Sequence, residues 1–188
     1  MRLDNKLNLI IPVYDDDMKN VVAHVHSTPI SADVWDKYWE PMSIAFTRIM
    51  AGGHGSVGGP RIADKMLRKV AQELGVWEGM AGVENGLVEE IRRLTMVLAP
   101  AKTGGWSQIP FHEARKTILN PEDSAEIEGA LIFFSLVSWG NRRGVRKQML
   151  DIAMELWGAR VESLSFTDFR DSLPTSTATA STGATAAA

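Results

Sequence analysis

The C-terminal segment 174–188 constrains the fold most, because it cannot take part in it. It reads PTSTATASTGATAAA and contains no charged, aromatic or large aliphatic side chain. Such a segment cannot bury enough apolar surface to offset the conformational entropy that it would lose on ordering. We therefore predict a disordered tail over 174–188 behind a folded body, an arrangement more typical of a binding or assembly protein than of an enzyme.

Charge and cysteine content exclude several classes of function. The 188 residues carry a formal net charge of −3, so the chain as a whole does not attract nucleic acid or anionic lipid. The absence of cysteine excludes disulfides, thiolate zinc sites and a cysteine nucleophile. The short apolar run that ends at Asp15 is typical of neither a signal peptide nor a membrane span. We therefore expect a cytosolic protein with no membrane partner.

Two β-rich runs near the N-terminus predict an antiparallel hairpin within residues 1–30. They span 7–14 and 20–27, and an acidic turn separates them. The second run, NVVAHVHS, alternates between apolar and polar positions. Two strands alone are marginally stable, so the hairpin needs a covering element. Its exposed edge offers a surface for pairing between subunits, and a homo-oligomer is one expectation.

Helix signals dominate residues 31–173. Ser31 is a predicted N-cap, with Ile30 and Trp35 at the spacing of a hydrophobic staple, and Pro41 is expected to kink the helix. Asn120 and Pro121 start a long apolar helix in the same way. The predicted helices span 31–50, 60–74, 83–98, 111–119, 121–139, 145–157 and 165–173, with a short extended piece over 106–109. The predicted fold class is therefore mainly α, a helical body over 31–173 with a small N-terminal hairpin.

No catalytic, metal or cofactor site emerges from the motifs. His24 and His26 share a strand face, but local spacing supplies no third ligand for a metal, and an exposed half-polar face is favoured. The glycine-rich loop 52–59 lacks the Lys-Ser/Thr ending of a phosphate-binding loop and is interpreted as a hinge. Acidic pairs such as Glu89–Glu90 lie on predicted helix faces, where solvated charges are ordinary. We predict no enzymatic activity and no cofactor.

One basic cluster and three of the six tryptophans remain open to two interpretations each. Arg142, Arg143, Arg146 and Lys147 either complement a helix C-terminus or contact an acidic partner, and the overall negative charge disfavours nucleic acid. Trp35, Trp39 and Trp139 fall on apolar helix stripes and are predicted to be core. Trp77, Trp106 and Trp157 lie near helix ends, where they anchor loops or contact a partner.

Five strings in order along the chain carry a resemblance to a known family. They are VHSTPIS (25–31), GPRIADKML (59–67), VWEGMAGVENGLVEEIRRLT (76–95), GWSQIP (105–110) and LWGARVESL…FRDSLPTST (156–177). Together they resemble the tail assembly chaperones of long-tailed, siphovirus-type bacteriophages. The resemblance implies a mostly helical protein without enzymatic activity or cofactor. It also implies binding to the tape-measure protein, recruitment of the major tail-tube protein, and residence in the host cytoplasm during assembly. A longer form made by ribosomal frameshifting is common in this family.

A chaperone of this kind needs a groove that adapts to apolar helices, and methionine and aromatic side chains suit that task. The candidate contact residues are Met42, Met50, Trp77, Met80, Met96, Trp106 and Trp157. Three alternatives stay open. The first is a structural virion component, such as a tail or head–tail connector subunit. The second is a metal-dependent enzyme built on His24 and His26. The third is a nucleic-acid accessory protein that uses the basic cluster.

Overall fold

The computed structural model describes residues 2–4, 6–15, 17, 19–52, 61–101, 105–139, 145, 148 and 162–173. These residues form one six-stranded sheet with most of the helices against one of its faces. The strands are β1 (Arg2–Asp4), β2 (Leu9–Tyr14), β3 (Val21–Ser27), β4 (Thr95–Pro100), β5 (Trp106–Pro110) and β6 (Glu162–Leu164). The helices are α1 (Ala32–Ala51), α2 (Arg61–Glu73), α3 (Glu89–Arg93), α4 (Phe111–Thr117), α5 (Pro121–Trp139) and α6 (Phe166–Ser172), and a π-helix over Val83–Val88 leads into α3.

The sheet corrects the predicted fold class. Its strand order is β5-β4-β3-β2-β1-β6, in which β1 to β5 pair antiparallel and β6 joins β1 in parallel. The strands come from the whole length of the chain. The prediction of a mainly α body with a single N-terminal hairpin is therefore wrong, and the chain has an α+β fold.

The predicted hairpin itself is confirmed as β2 and β3. Asp15 organises its turn: its carboxylate accepts hydrogen bonds from the Lys19 backbone N–H at 2.8 Å and from the Asn20 side chain at 2.7 Å. These bonds, the one from the Asn20 side chain first, lower the pKa of Asp15 below its ordinary value. The hairpin lies in the middle of the sheet, because β4 pairs with β3 and β1 pairs with β2. The expectation that its edge is exposed is wrong.

Strand β4 replaces the end of a predicted helix. The helix expected over 83–98 ends at Arg93, and Thr95–Pro100 is a strand. Thr95 holds this transition, since its Oγ1 lies 2.8 Å from the Ile91 carbonyl oxygen and 2.9 Å from Ser27 Oγ on β3. The alternation of Thr95, Val97 and Ala99 toward the helices then continues the sheet.

The structure confirms most of the other predicted helices. Helices α1, α2, α4 and α6 and the extended piece of β5 are confirmed near their predicted bounds. The Ser31 Oγ accepts from the Val34 N–H, and the backbone departs from helical geometry at Tyr38, three residues before Pro41. Trp39 is 57% exposed, so its predicted place in the core is wrong, whereas Trp35 packs partly against the core.

Helix α5 is the centre of the core. Its start is confirmed, because Asn120 Oδ1 accepts the Asp123 N–H at 2.7 Å. All residues from Ile127 to Ser138 are buried, so the helix is covered on every side. The hydroxyls of Ser135 and Ser138 donate to the carbonyls of Leu131 and Phe134, which keeps these buried polar groups satisfied. Among the described residues, no helix is long and apolar enough to cross a membrane.

Three sequence predictions fall outside the described residues. The helix over 145–157 is represented by Val145 and Gln148 alone, both of which are helical. The glycine loop lies outside apart from Gly52, which ends α1, and the predicted tail lies outside altogether.

Candidate functional site

The two faces of the sheet have different environments. Leu9, Val13, Ala23, Val25 and Val97 point toward the helices and join the main core. Residues paired directly across strands share a face, so His24 with Leu98, and His26 with Met96, point to the opposite side. We call this opposite side the outer face. Its residues include Asp4, Ile10, His24, His26, Met96, Leu98, Trp106 and Gln108.

Helix α6 lies on the outer face. A capping box starts it: the Asp168 N–H donates to Ser165 Oγ at 3.0 Å, and the Ser165 N–H donates back to the Asp168 carboxylate at 3.1 Å. The Phe169 ring meets the His24 ring edge-on with centroids 5.6 Å apart, and the His26 ring at 6.5 Å. His24 also lies 6.4 Å from Trp106. An aromatic cluster thus joins α6 to β3 and β5.

A groove of 740 Å³ runs between α6 and the sheet. Met96 and Leu98 form its apolar floor, and both are half-buried. Phe169 and Leu173 form the wall on the α6 side. We call this space the outer groove. An apolar and partly open floor of this kind suits a hydrophobic segment better than a small polar substrate.

A polar rim closes one end of the outer groove. The Asp4 carboxylate accepts from the Lys6 N–H at 2.8 Å, from the Asn8 N–H at 2.9 Å and from Asn8 Nδ2 at 2.7 Å. His26 Nε2 lies 3.7 Å from the same carboxylate. The exposed Lys6 ammonium forms no ion pair with any residue that the structure describes. The rim therefore leaves a positive charge available at the groove.

The alternative of a metal-dependent enzyme depends on the surroundings of His24 and His26. Within the described part of the chain, no group of three or more histidine, aspartate or glutamate side chains is arranged to hold a metal ion. His24 is 4% exposed and its ring contacts aromatic rings. The prediction of a half-polar strand face holds for His26, which is half-buried, but His24 is not exposed.

A second cavity lies in the helical layer. It measures 420 Å³ and is lined by side chains of α2, α4 and α5, among them Asp64, Lys65, Arg115 and Glu128. Glu128 is nearly buried and binds Arg92, whose Nε donates to it at 2.8 Å, with Arg115 Nη1 at 3.4 Å. Burial first, and the nearby Glu128 carboxylate second, raise the pKa of Asp64 above its ordinary value. Because its acids and bases largely neutralise one another, we interpret this cavity as structural.

The raised pKa of Asp64 makes a prediction for stability. A carboxyl whose pKa is higher in the folded than in the unfolded state costs stability as pH rises from its ordinary value of 3.8 through the folded-state pKa. Asp64→Asn is therefore expected to raise the thermal midpoint at pH 7 and to lose this advantage below about pH 4. Thermal unfolding across this pH range measures it, with the exposed Asp36→Asn as control. An Asp64→Asn midpoint that falls at pH 7 would contradict the prediction.

The structure does not bring the predicted contact residues together. Met42 is buried, and Trp77 is 6% exposed beneath the Arg68 guanidinium, so both are parts of the core. Met50 is half-buried at the end of α1, and Met80 is 96% exposed in a loop. Met96 and Trp106 are on the outer face, and Met96 lines the outer groove. Trp157 and the basic cluster Arg142, Arg143, Arg146 and Lys147 lie outside the described residues.

Leu98 and Phe169 are groove residues that the sequence reasoning missed. Leu98 is the last residue of the helix predicted over 83–98, although Met96 and Leu98 also alternate with Thr95, Val97 and Ala99 at the period of a strand. Comparison with known proteins adds no constraint: no family model, no curated protein and no solved structure matches the chain.

Proposed function

We propose that this chain is a non-enzymatic tail assembly chaperone of long-tailed bacteriophages, and that its outer groove binds an amphipathic helix of the tape-measure protein. The observation that carries the proposal is the half-buried apolar floor of Met96 and Leu98, which lies beside a helix of the chain that packs on the same face. Recruitment of tail-tube subunits is part of the proposal, and the family resemblance alone supports it.

The composition of the groove suits this partner. Met96 has an unbranched, polarizable side chain that adapts to irregular apolar surfaces, and Leu98 adds area beside it. Helix-in-groove recognition uses apolar residues at i, i+3 and i+4 against such a floor. Each large aliphatic side chain fully buried in this way contributes about 1.5–3 kcal/mol of transfer free energy.

Co-expression with the tape-measure protein tests the proposal. We expect soluble tape-measure protein and a co-purifying complex with the wild-type chain, and loss of both with Leu98→Asp, because an apolar stripe bound on the floor would have to desolvate the carboxylate. Leu74→Asp is the matched control, since Leu74 is 39% exposed at the end of α2 and away from the outer face. Thermal unfolding of both variants confirms that they fold.

Two results would overturn the proposal. One is wild-type binding that Leu98→Asp leaves unchanged, which would place the contact elsewhere. The other is an absence of binding together with stoichiometric amounts of the chain in purified virions. That second result would favour the alternative of a structural tail or connector subunit.

A further inference from the structure

Helix α6 is a short helix on the outer face. It has seven residues, and a helix of this length is not stable on its own in water. Thr167, Asp168, Arg170 and Asp171 are exposed. Among the α6 positions whose burial the structure describes, Phe169 is half-buried, as is Leu173 directly after the helix, and the Ser165–Asp168 capping box starts it.

The contacts of α6 show what kind of segment the outer face accepts. Phe169 and Leu173 are four residues apart, which is the spacing of one helical stripe. Phe169 packs its ring against His24 and His26, while Asp168 and Asp171 are exposed and the exposed Arg170 also lines the groove. The outer face thus accommodates an amphipathic helix with an aromatic and an aliphatic residue at i and i+4.

The volume of the open groove corresponds to only a short stretch of helix. A helix with a diameter of 10–12 Å and a rise of 1.5 Å per residue occupies about 120–170 Å³ per residue. A volume of 740 Å³ therefore holds about four to six helical residues, which is less than two turns. A partner helix of several turns that lay wholly within the groove would therefore also need the space of α6.

Charge at the rim adds one requirement on the partner. The exposed Lys6 ammonium forms no ion pair with a described residue, whereas Arg170 on the α6 side is paired with Asp171 at 3.0 Å. An acidic residue next to the apolar stripe of the partner would meet Lys6. This pair is at the rim and exposed, so it contributes to orientation more than to affinity.

We infer that α6 is a displaceable intramolecular occupant of the outer face, and that an amphipathic partner helix with an aromatic–aliphatic i, i+4 stripe and a flanking acidic residue takes its place. The inference rests on the proposed function for the source of that helix, the tape-measure protein. While no partner is present, α6 covers His24 and forms one wall of the groove, so the apparent dissociation constant is the intrinsic one divided by the fraction of molecules in which α6 is open.

Hydrogen exchange of the free chain tests the opening without any partner. The Phe169 amide, which donates to the Ser165 carbonyl at 2.9 Å, is expected to exchange at least 100-fold faster than the amides of β3 in the sheet. Ser165→Ala removes the capping box and should speed exchange in α6 further without changing exchange in β3. Equal protection of α6 and β3 would overturn the inference, because α6 would then open only with the whole fold.

Binding to the tape-measure protein tests whether the partner helix replaces α6 on the outer face. Phe169→Ala weakens α6 on the outer face, so it should bind the partner roughly three- to tenfold more tightly than the wild type. Thr167→Ala changes an exposed α6 position and should bind as the wild type does. Weaker binding by Phe169→Ala, at an unchanged unfolding midpoint, would make α6 a fixed wall of the site and overturn the inference. No binding by the wild type or by either variant would overturn the proposed function instead, and the exchange experiment still decides whether α6 opens.

Discussion

Glu128→Ala is expected to lower the free energy of unfolding by about 3 kcal/mol, which is the cost of leaving a mostly buried charge without its main partner. The Glu128 side chain is 11% exposed and that of Arg92 is 22% exposed. Without the carboxylate, Arg92 retains its contact with the more exposed Glu89, and Arg115 loses its partner in the cavity. Water reaches this position poorly, so it replaces little of the lost interaction.

Chemical denaturation measures this loss, and a second ion pair supplies the control. Arg48 and Glu73 join α1 to α2 with an N–O distance of 2.5 Å, but both side chains are 44% exposed. Glu73→Ala should therefore cost about 0.2–1 kcal/mol. For a domain of this size, a loss of 3 kcal/mol corresponds to a fall of about 6–12 °C in the thermal midpoint. Equal losses from the two variants would show that burial does not govern the Glu128 pair.

Gly86→Ala is expected to destabilise the fold by about 3 kcal/mol for a steric reason. A Cβ at Gly86 would lie 1.7 Å from the Tyr38 hydroxyl oxygen and 2.7 Å from the carbon that bears it. Tyr38 cannot easily yield, because its side chain is 5% exposed and its hydroxyl donates to the Ala81 carbonyl at 3.0 Å. The clash therefore strains the contact between α1 and the π-helix.

A double-mutant cycle tests the cause of this effect. Tyr38→Phe removes the closest clashing atom, so Gly86→Ala should cost less in the Tyr38→Phe background than in the wild type. The rescue is partial, since the ring carbon is still too close. Asn85→Ala is the control at a neighbouring exposed residue, where it removes the hydrogen bond from Asn85 Nδ2 to the Gly79 carbonyl without a clash, and it should cost about 1 kcal/mol or less. Strictly additive losses would contradict a direct clash between the two side chains.

The elements that the sequence predicted correctly carry their own local signals. Ser31 and Asn120 cap α1 and α5 as expected, because a side-chain oxygen three residues before an N–H needs no distant partner. The β2–β3 hairpin follows from alternation on both sides of the Asp15 turn. The short α6 follows from Ser165, whose capping box is complete within four residues.

The elements that sequence reasoning missed depend on residues far away in the chain. The string LTMVLAP fits either a helix stripe or a strand, since Leu94 and Leu98 are four residues apart and Val97 and Ala99 are two apart. Pairing with β3 decides for the strand, and Thr95 meets Ser27 across 68 positions of sequence. No local pattern contains this information.

The residues of the candidate site were likewise predictable from the sequence only in part. The sequence singled out Met96 as an adaptable contact residue and His24 and His26 as sharing one strand face, and that pairing follows from the period of a strand. It could not place Leu98 and Phe169 beside them, because the outer groove exists only where β4 has joined β3 and α6 has returned to the sheet. The burial of Met42 and Trp77, and the exposure of Trp39, have the same origin.

The sequence by itself determined the caps, the central hairpin, the apolar helix α5 and the absence of cysteine chemistry, because each depends on residues within a few positions of one another or on composition alone. The tertiary structure alone decided that the fold is α+β, which face of the sheet each helix covers and where a groove remains. The physical reason is that strand pairing and burial are properties of contacts between distant segments, and the free energy of those contacts outweighs the small local preference for helix over strand.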